Sequence, residues 1–295
     1  MSDPTTRTTA PTVVTAPVAP AGGGTTPPPM RGGPRWLRAI YSGNARIVLL
    51  RGLLATKTSN WAVVVSGFFE PVFYLLAMGL GLGTFIGDVT LPNGQSVPYA
   101  AFIAPALLAV SAMNGAVYDS TWNVFFKLRF AKLYQTMLTT RLGPLDVALG
   151  EISYALLRGV AYAGGFLIVM QVMGLNGSWT AVLALPAVVL IAFGFASVGM
   201  AITSYMKTFQ QMDWITFVML PMFLFSATFY PITVYPEAIQ WLIKVLPLWH
   251  AVELVRGLTL GVPDSMTLVH VGYYVVMIAV GLLFTTKRLR ALFQD

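Results

Sequence analysis

The chain has 295 residues, of which 56% are hydrophobic and only 10% charged. Soluble domains carry about 25% charged residues, so this balance excludes an ordinary soluble domain and fits a chain solvated mostly by lipid. The formal charge of +7 does not imply a nucleic-acid partner, because the cations sit at the ends of long apolar runs, where they set membrane orientation.

Residues 1–34 hold eight prolines and eight threonines and almost no large apolar side chain. Such a stretch buries too little surface to offset its ordering entropy and is expected to be a disordered cytoplasmic tail. Over 35–58, Ile40, Ile47, Leu50 and Leu54 recur at roughly helical spacing between Arg35, Arg38, Arg46, Arg51 and Lys57. The pattern predicts an amphipathic helix on the cytoplasmic membrane face; a solvated helix packed on another subunit is the alternative.

Six apolar runs follow, near 61–84, 99–126, 152–173, 180–204, 211–230 and 266–286. A helix needs about 20 apolar residues to cross the hydrocarbon core, and the fifth run reaches that only if Gln211 and Asp213 sit at the interface. Seven cations precede the first run, and Lys127, Arg129, Lys132 and Arg141 lie between the second and third. Lys207 separates the fourth from the fifth, and Lys287, Arg288 and Arg290 close the last. The loops at 85–98 and 174–179 carry none. Lys and Arg mark cytoplasmic loops, so both termini, including 291–295, are expected inside.

Ala238–Leu260 is apolar enough for a seventh crossing. That crossing would place Lys244, His250, Glu253 and Arg256 in lipid, at about 2.5–3.5 kcal/mol for each charged group at the bilayer centre, and Pro247 interrupts it. A re-entrant helical pair before the last span is expected instead. The fold class is therefore all-α: a polytopic membrane protein with six transmembrane helices filling 59–290, an N-terminal amphipathic interfacial helix, a short cytoplasmic helix after the second span and the re-entrant pair.

Little in the chain points to catalysis. There is no cysteine, which excludes disulfides and thiolate chemistry. The two histidines, His250 and His270, lack metal-ligand spacing, and no GxxxxGK[ST] phosphate loop occurs. Gly79, Gly83 and Gly87, small residues four apart, are expected at close helix contacts. Glu70, Asp119, Arg158, Glu253 and Arg256 lie in or beside spans, where an ionisable group is a functional candidate. Glu70 and Arg158 are read as a pathway or pairing set, and His250, Glu253 and Arg256 as a local polar cluster. The loop from Lys127 to Glu151 reads as a basic amphipathic helix, a Gly-Pro turn and a restart at Asp146. It suits either a docking element for a soluble partner or a solvated connection.

Three blocks resolve that choice by resemblance. Phe102–Trp122 (FIAPALLAVSAMNGAVYDSTW), the Lys127–Glu151 loop and Leu246–Gly261 (LPLWHAVELVRGLTLG) resemble the type-2 ABC exporter permeases, in the branch of the nodulation lipo-oligosaccharide and daunorubicin-type drug exporters. The resemblance runs from about Arg46 to the C-terminus. It implies a coupling helix at Lys132–Leu142 that seats on an ATPase, with Lys132, Leu133, Met137, Leu138, Thr140, Arg141 and Leu142 at the contact and Gly150 and Glu151 behind it. Leu133, Met137 and Leu138 are expected to form its apolar docking face. Where the family commonly has Thr-Pro-Leu this chain has Thr140, Arg141 and Leu142, with Pro144 three positions on.

The resemblance further implies a transport subunit of the bacterial inner membrane that is not an enzyme. It would bind no cofactor itself, with ATP and Mg held by separate ABC ATPase subunits. A second permease chain, identical or related, and membrane lipid would complete the assembly, exporting an amphiphile such as a lipid-linked glycan, lipid or hydrophobic drug. A secondary transporter or drug:proton antiporter using Glu70 is the alternative; no internal repeat supports it. An integral membrane transferase would want clustered acidic or histidine residues, and the acidic residues here are scattered.

Overall fold

A computed structural model describes residues 41–56, 69–91, 94–262 and 264–293. The Pro/Thr-rich 1–34 segment, the start of the expected interfacial helix and the start of the first span lie outside them. The first described helix, α1, covers Ala45–Thr56. Residues 41–44 are not helical, because the Asp146 carboxylate, 102 or more residues away, accepts the backbone N–H groups of Ser42 and Asn44 at 2.7 and 2.9 Å. Val48 is buried, while Ile47, Leu50 and Leu54 remain exposed, so α1 keeps an apolar stripe facing outward.

Helix α2, Phe69–Ile86, winds as a π-helix over Leu75–Leu82. A side chain at Gly79 would meet Ala100 at 3.2 Å, so the small residue does serve a close helix contact; Gly83 has room for a side chain, with Tyr99 at an ordinary 3.8 Å. Gly87 serves no such contact either; its φ of +73° ends the helix, a conformation that favours glycine. A two-stranded antiparallel hairpin, β1 (Asp88–Thr90) with β2 (Ser96–Pro98), pairs Val89 with Val97 and delivers the chain to α3.

Helix α3, Tyr99–Phe130, is the centre of the fold. Its first five turns are apolar on nearly every side, as expected of a helix enclosed by others, and nearly every residue from Tyr99 to Val117 is buried. The short α4 (Leu133–Leu138) follows, then α5 (Pro144–Val172) and α6 (Trp179–Tyr205). Pro144 opens α5 at its first helical position, where its missing N–H has no intrahelical partner to lose. The last helix, α10 (Met266–Phe293), lies along α6. A side chain at Gly281 would come within 2.7 Å of the Ser197 backbone, so the two helices touch almost backbone to backbone.

The fifth apolar run departs from expectation. Its helix α7 covers only Asp213–Phe225, after a 3-10 turn at Phe209–Met212. Thirteen residues rise about 20 Å, short of the roughly 30 Å hydrocarbon core. The helix stops because Ala227 turns left-handed, with φ +56°, and its carbonyl is held by the Arg256 guanidinium at 2.9 Å. Helices α8 (Glu237–Val245) and α9 (Pro247–Leu260) follow, bent 88° apart at Leu246. Five described helices are thus long and apolar enough to cross a membrane, and six if the bent pair is one broken span.

Candidate functional site

The loop between α3 and α5 is built as a platform. Lys132 takes a left-handed conformation, φ +49°, which breaks the chain from α3 and turns it into α4. The Thr140 hydroxyl closes that helix onto the Met137 carbonyl at 2.6 Å, and the turn through Arg141 leads to Gly143. There Asp146 accepts the Gly143 N–H at 2.9 Å as well as those of Ser42 and Asn44. One carboxylate at the start of α5, where it complements the helix dipole, therefore ties the loop to the segment before α1.

The expected apolar docking face points the other way. Met137 and Tyr134 are buried, and Leu133, Leu138 and Leu142 are partly buried against the same core. The spans themselves consume this stripe, because α4 lies against the end of α3 and the start of α5. What it leaves exposed is polar: Lys132, Gln135, Thr136, Thr139, Thr140 and Arg141.

Beneath the platform Glu151, 6% exposed, joins three elements. One oxygen accepts from Arg51 of α1 at 2.9 Å and the other from Lys127 of α3 at 2.5 Å. Gly150 makes this possible, since a side chain there would strike Val48 and the Ala45 carbonyl; α1 crosses α5 at that residue. Tyr134 is fully buried beside them, and its hydroxyl has no hydrogen-bond partner among the described residues. Burial first, and Glu151 second, push that hydroxyl well above the usual phenol range, so it stays protonated. Arg51, Lys127 and Tyr134 did not emerge as site residues from the sequence; nothing local in it links positions 51, 127 and 151.

A second feature is a cavity of about 630 Å³ between α2, α3, α5 and α7. Glu70 lies on its wall with Tyr74, Tyr118, Trp122, Tyr162 and Phe223. Arg158 is placed on α5 one turn before Tyr162, and its side chain is outside the described set. The polar cluster on α9 divides in two. Glu253 and Arg256 pair at 2.6 Å, and the guanidinium also lies 4.0 Å over the Phe102 ring. His250 leaves them and meets His270 of α10, Nδ1 to Nδ1, at 2.7 Å, stacked on Tyr273. The two stretches are far apart in sequence, which is why spacing alone left His270 without a partner. Among the described residues no three His, Cys, Asp or Glu side chains gather as a metal site.

Comparison with known proteins places this architecture. Residues 44–260 match the ABC-2 type transporter family. The chain is 31% identical over 242 residues to Nodulation protein J of Rhizobium leguminosarum bv. viciae, covering 81% of this chain and 91% of that one. It is 30% identical over 227 residues to Nodulation protein J of Rhizobium meliloti (strain 1021), covering 76% and 83%. Against the Inner membrane transport permease YadH of Escherichia coli (strain K12) identity is 27% over 212 residues, covering 70% and 78%.

Proposed function

The chain belongs to the ABC-2 type transporter family, and from that premise we propose that it exports an amphiphile across the bacterial inner membrane, driven by ATP hydrolysed on a docked partner. It is a permease, a multi-pass membrane subunit that works with an ABC ATPase and has no ATPase site of its own. In our reading the polar outer face of α4 and the turn to Arg141 seat on that ATPase, which alone carries ATP and Mg. In this reading the bent pair α8–α9 makes the sixth crossing, both termini face the cytoplasm, as the Lys and Arg distribution favours, and a second permease chain completes the path.

The observation that carries this reading is the way the loop is mounted. Among the described residues its polar face is exposed, while its inner face and the Glu151 network connect it to α1, α3 and α5. A push on α4 therefore reaches the cavity-lining helices α3 and α5 directly. ATP-driven closure of the ATPase pair would tilt those helices and open the cavity between them and α2 and α7.

Reconstitution tests it. Vesicles holding the permease with its ATPase are expected to transport a fluorescent lipid or hydrophobic dye only with hydrolysable ATP. An ionophore that dissipates ion gradients should leave the rate unchanged. Transport that persists without the ATPase and collapses with the ionophore would establish the antiporter alternative instead.

A further inference from the structure

We infer that the cavity between α2, α3, α5 and α7 is a binding site for cationic amphiphiles, with Glu70 as the charge that selects them; this rests on the exporter reading above and names its substrate class. Glu70 belongs to α2 and lies on the cavity wall. It makes no hydrogen bond or ion pair with any described residue. Among the described lining residues it is the only carboxylate, and no Lys or Arg side chain accompanies it; the other polar groups, Ser111, Asn114 and Thr216 among them, are neutral at ordinary pH.

Glu70 is exposed on this wall, and at membrane depth a carboxylate is costly unless something neutralises it. A cation in the same cavity removes that cost, and the attraction strengthens as the bound pair excludes water from between them. The rings around Glu70 supply the second half of the recognition. Tyr74 meets Phe223 edge to face at 6.5 Å, which joins α2 to α7, and Tyr118 stacks on Trp122 at 6.5 Å along α3. Aromatic faces attract a cation, and quaternary ammonium ligands are bound this way in aromatic cages. A volume of about 630 Å³ lies within the range for drug-sized ligands. Among the described lining residues one carboxylate, five aromatic rings, four of them in two pairs, and apolar walls describe a hydrophobic cation, whereas an anion of the same shape would meet Glu70 unfavourably.

Tetraphenylphosphonium and tetraphenylborate share a shape and differ in charge, so together they isolate the effect. Binding of each to the detergent-solubilised permease–ATPase complex is measured for the native protein, Glu70→Gln and Glu70→Asp. The native complex is expected to prefer the cation by roughly tenfold or more. Glu70→Gln should bring the ratio of the two dissociation constants down by about that factor, and Glu70→Asp should keep most of it. Comparing ratios between variants cancels the different partitioning of the two ions into detergent. A ratio that is unchanged in Glu70→Gln overturns the inference. So does loss of the permease dimer in that variant with an unchanged ratio, which assigns Glu70 to a contact between copies. A cation preference that depends on Glu70 without ATP-driven transport of the phosphonium supports the site and counts against the exporter reading, so the two fail separately.

Discussion

Glu151→Ala is expected to lower the thermal midpoint of the detergent-solubilised permease by about 3–5 °C. The carboxylate is buried and satisfies Arg51 and Lys127 together. Removing one partner from a buried ion pair costs about 3–5 kcal/mol, because the charges left behind have no counter-ion. Here the cations are partly open to water, with side chains 36% and 23% exposed, and solvent screens what remains. About 2–3 kcal/mol is therefore a fair size for the loss, and it converts to several degrees for a chain of this length. Glu151→Gln keeps a hydrogen-bonding oxygen without the charge and should lose roughly half as much. The loss has a functional side, since Glu151 fastens α1 and α3 to the start of α5 just behind α4. ATPase activity of the assembled Glu151→Ala complex should become less responsive to transported substrate. A midpoint within about 1 °C of the native protein would show that the network holds nothing together.

The double charge reversal Lys132→Glu with Arg141→Glu is expected to detach the ATPase while leaving the permease fold intact. Both residues are exposed on either side of α4, so neither contributes to the core, and the thermal midpoint should stay within about 1 °C. Charges at the rim of an interface govern steering and register, and like charges brought together cost several kcal/mol. Co-purification of the ATPase at physiological salt should fall at least about tenfold, with partial recovery at higher salt if repulsion dominates. Met137→Asp is the contrasting case. Met137 is buried against the spans, so a charge there should lower the thermal midpoint and the ATPase yield together. Full ATPase retention in the double reversal would place docking elsewhere.

Much of this architecture is legible in the residues, and the limits are instructive. The second, fourth and last spans begin within a residue of their apolar runs, because nothing competes with a helix along a long hydrophobic stretch, whereas the third helix starts at Pro144, ahead of its run at 152. The fifth run is as apolar as the others, yet its helix ends at Phe225. The cause is Arg256, 29 residues away from the carbonyl that it holds, and no window of local sequence contains both. The bend at Leu246 was foreshadowed by Pro247 and by the cost of four polar side chains in lipid.

The docking loop shows a different limit. Periodicity marks Leu133, Met137 and Leu138 as one apolar face, but it does not say whether that face meets a partner or the chain's own core. In the structure the core takes it. Asp146 was recognisable as a helix-start residue, whereas its grip on Ser42 and Asn44 needed the fold. Gly150 and Glu151 came from resemblance alone, and the geometry supplies their physical sense: the glycine lets α1 cross and the glutamate ties it down.

The most direct measurement of the central claim uses the absence of cysteine from the chain. Single cysteines at Gln135, Thr136 and Thr139 on the open face of α4, at buried Met137, and at Ser96 in the β-hairpin can each be treated with a short bifunctional reagent in the assembled complex. Cross-links to the ATPase are expected from Gln135→Cys, Thr136→Cys or Thr139→Cys, and none from Met137→Cys or Ser96→Cys. Cross-links from Ser96→Cys, or from none of the three α4 positions, would contradict the assignment of this loop as the ATPase docking element.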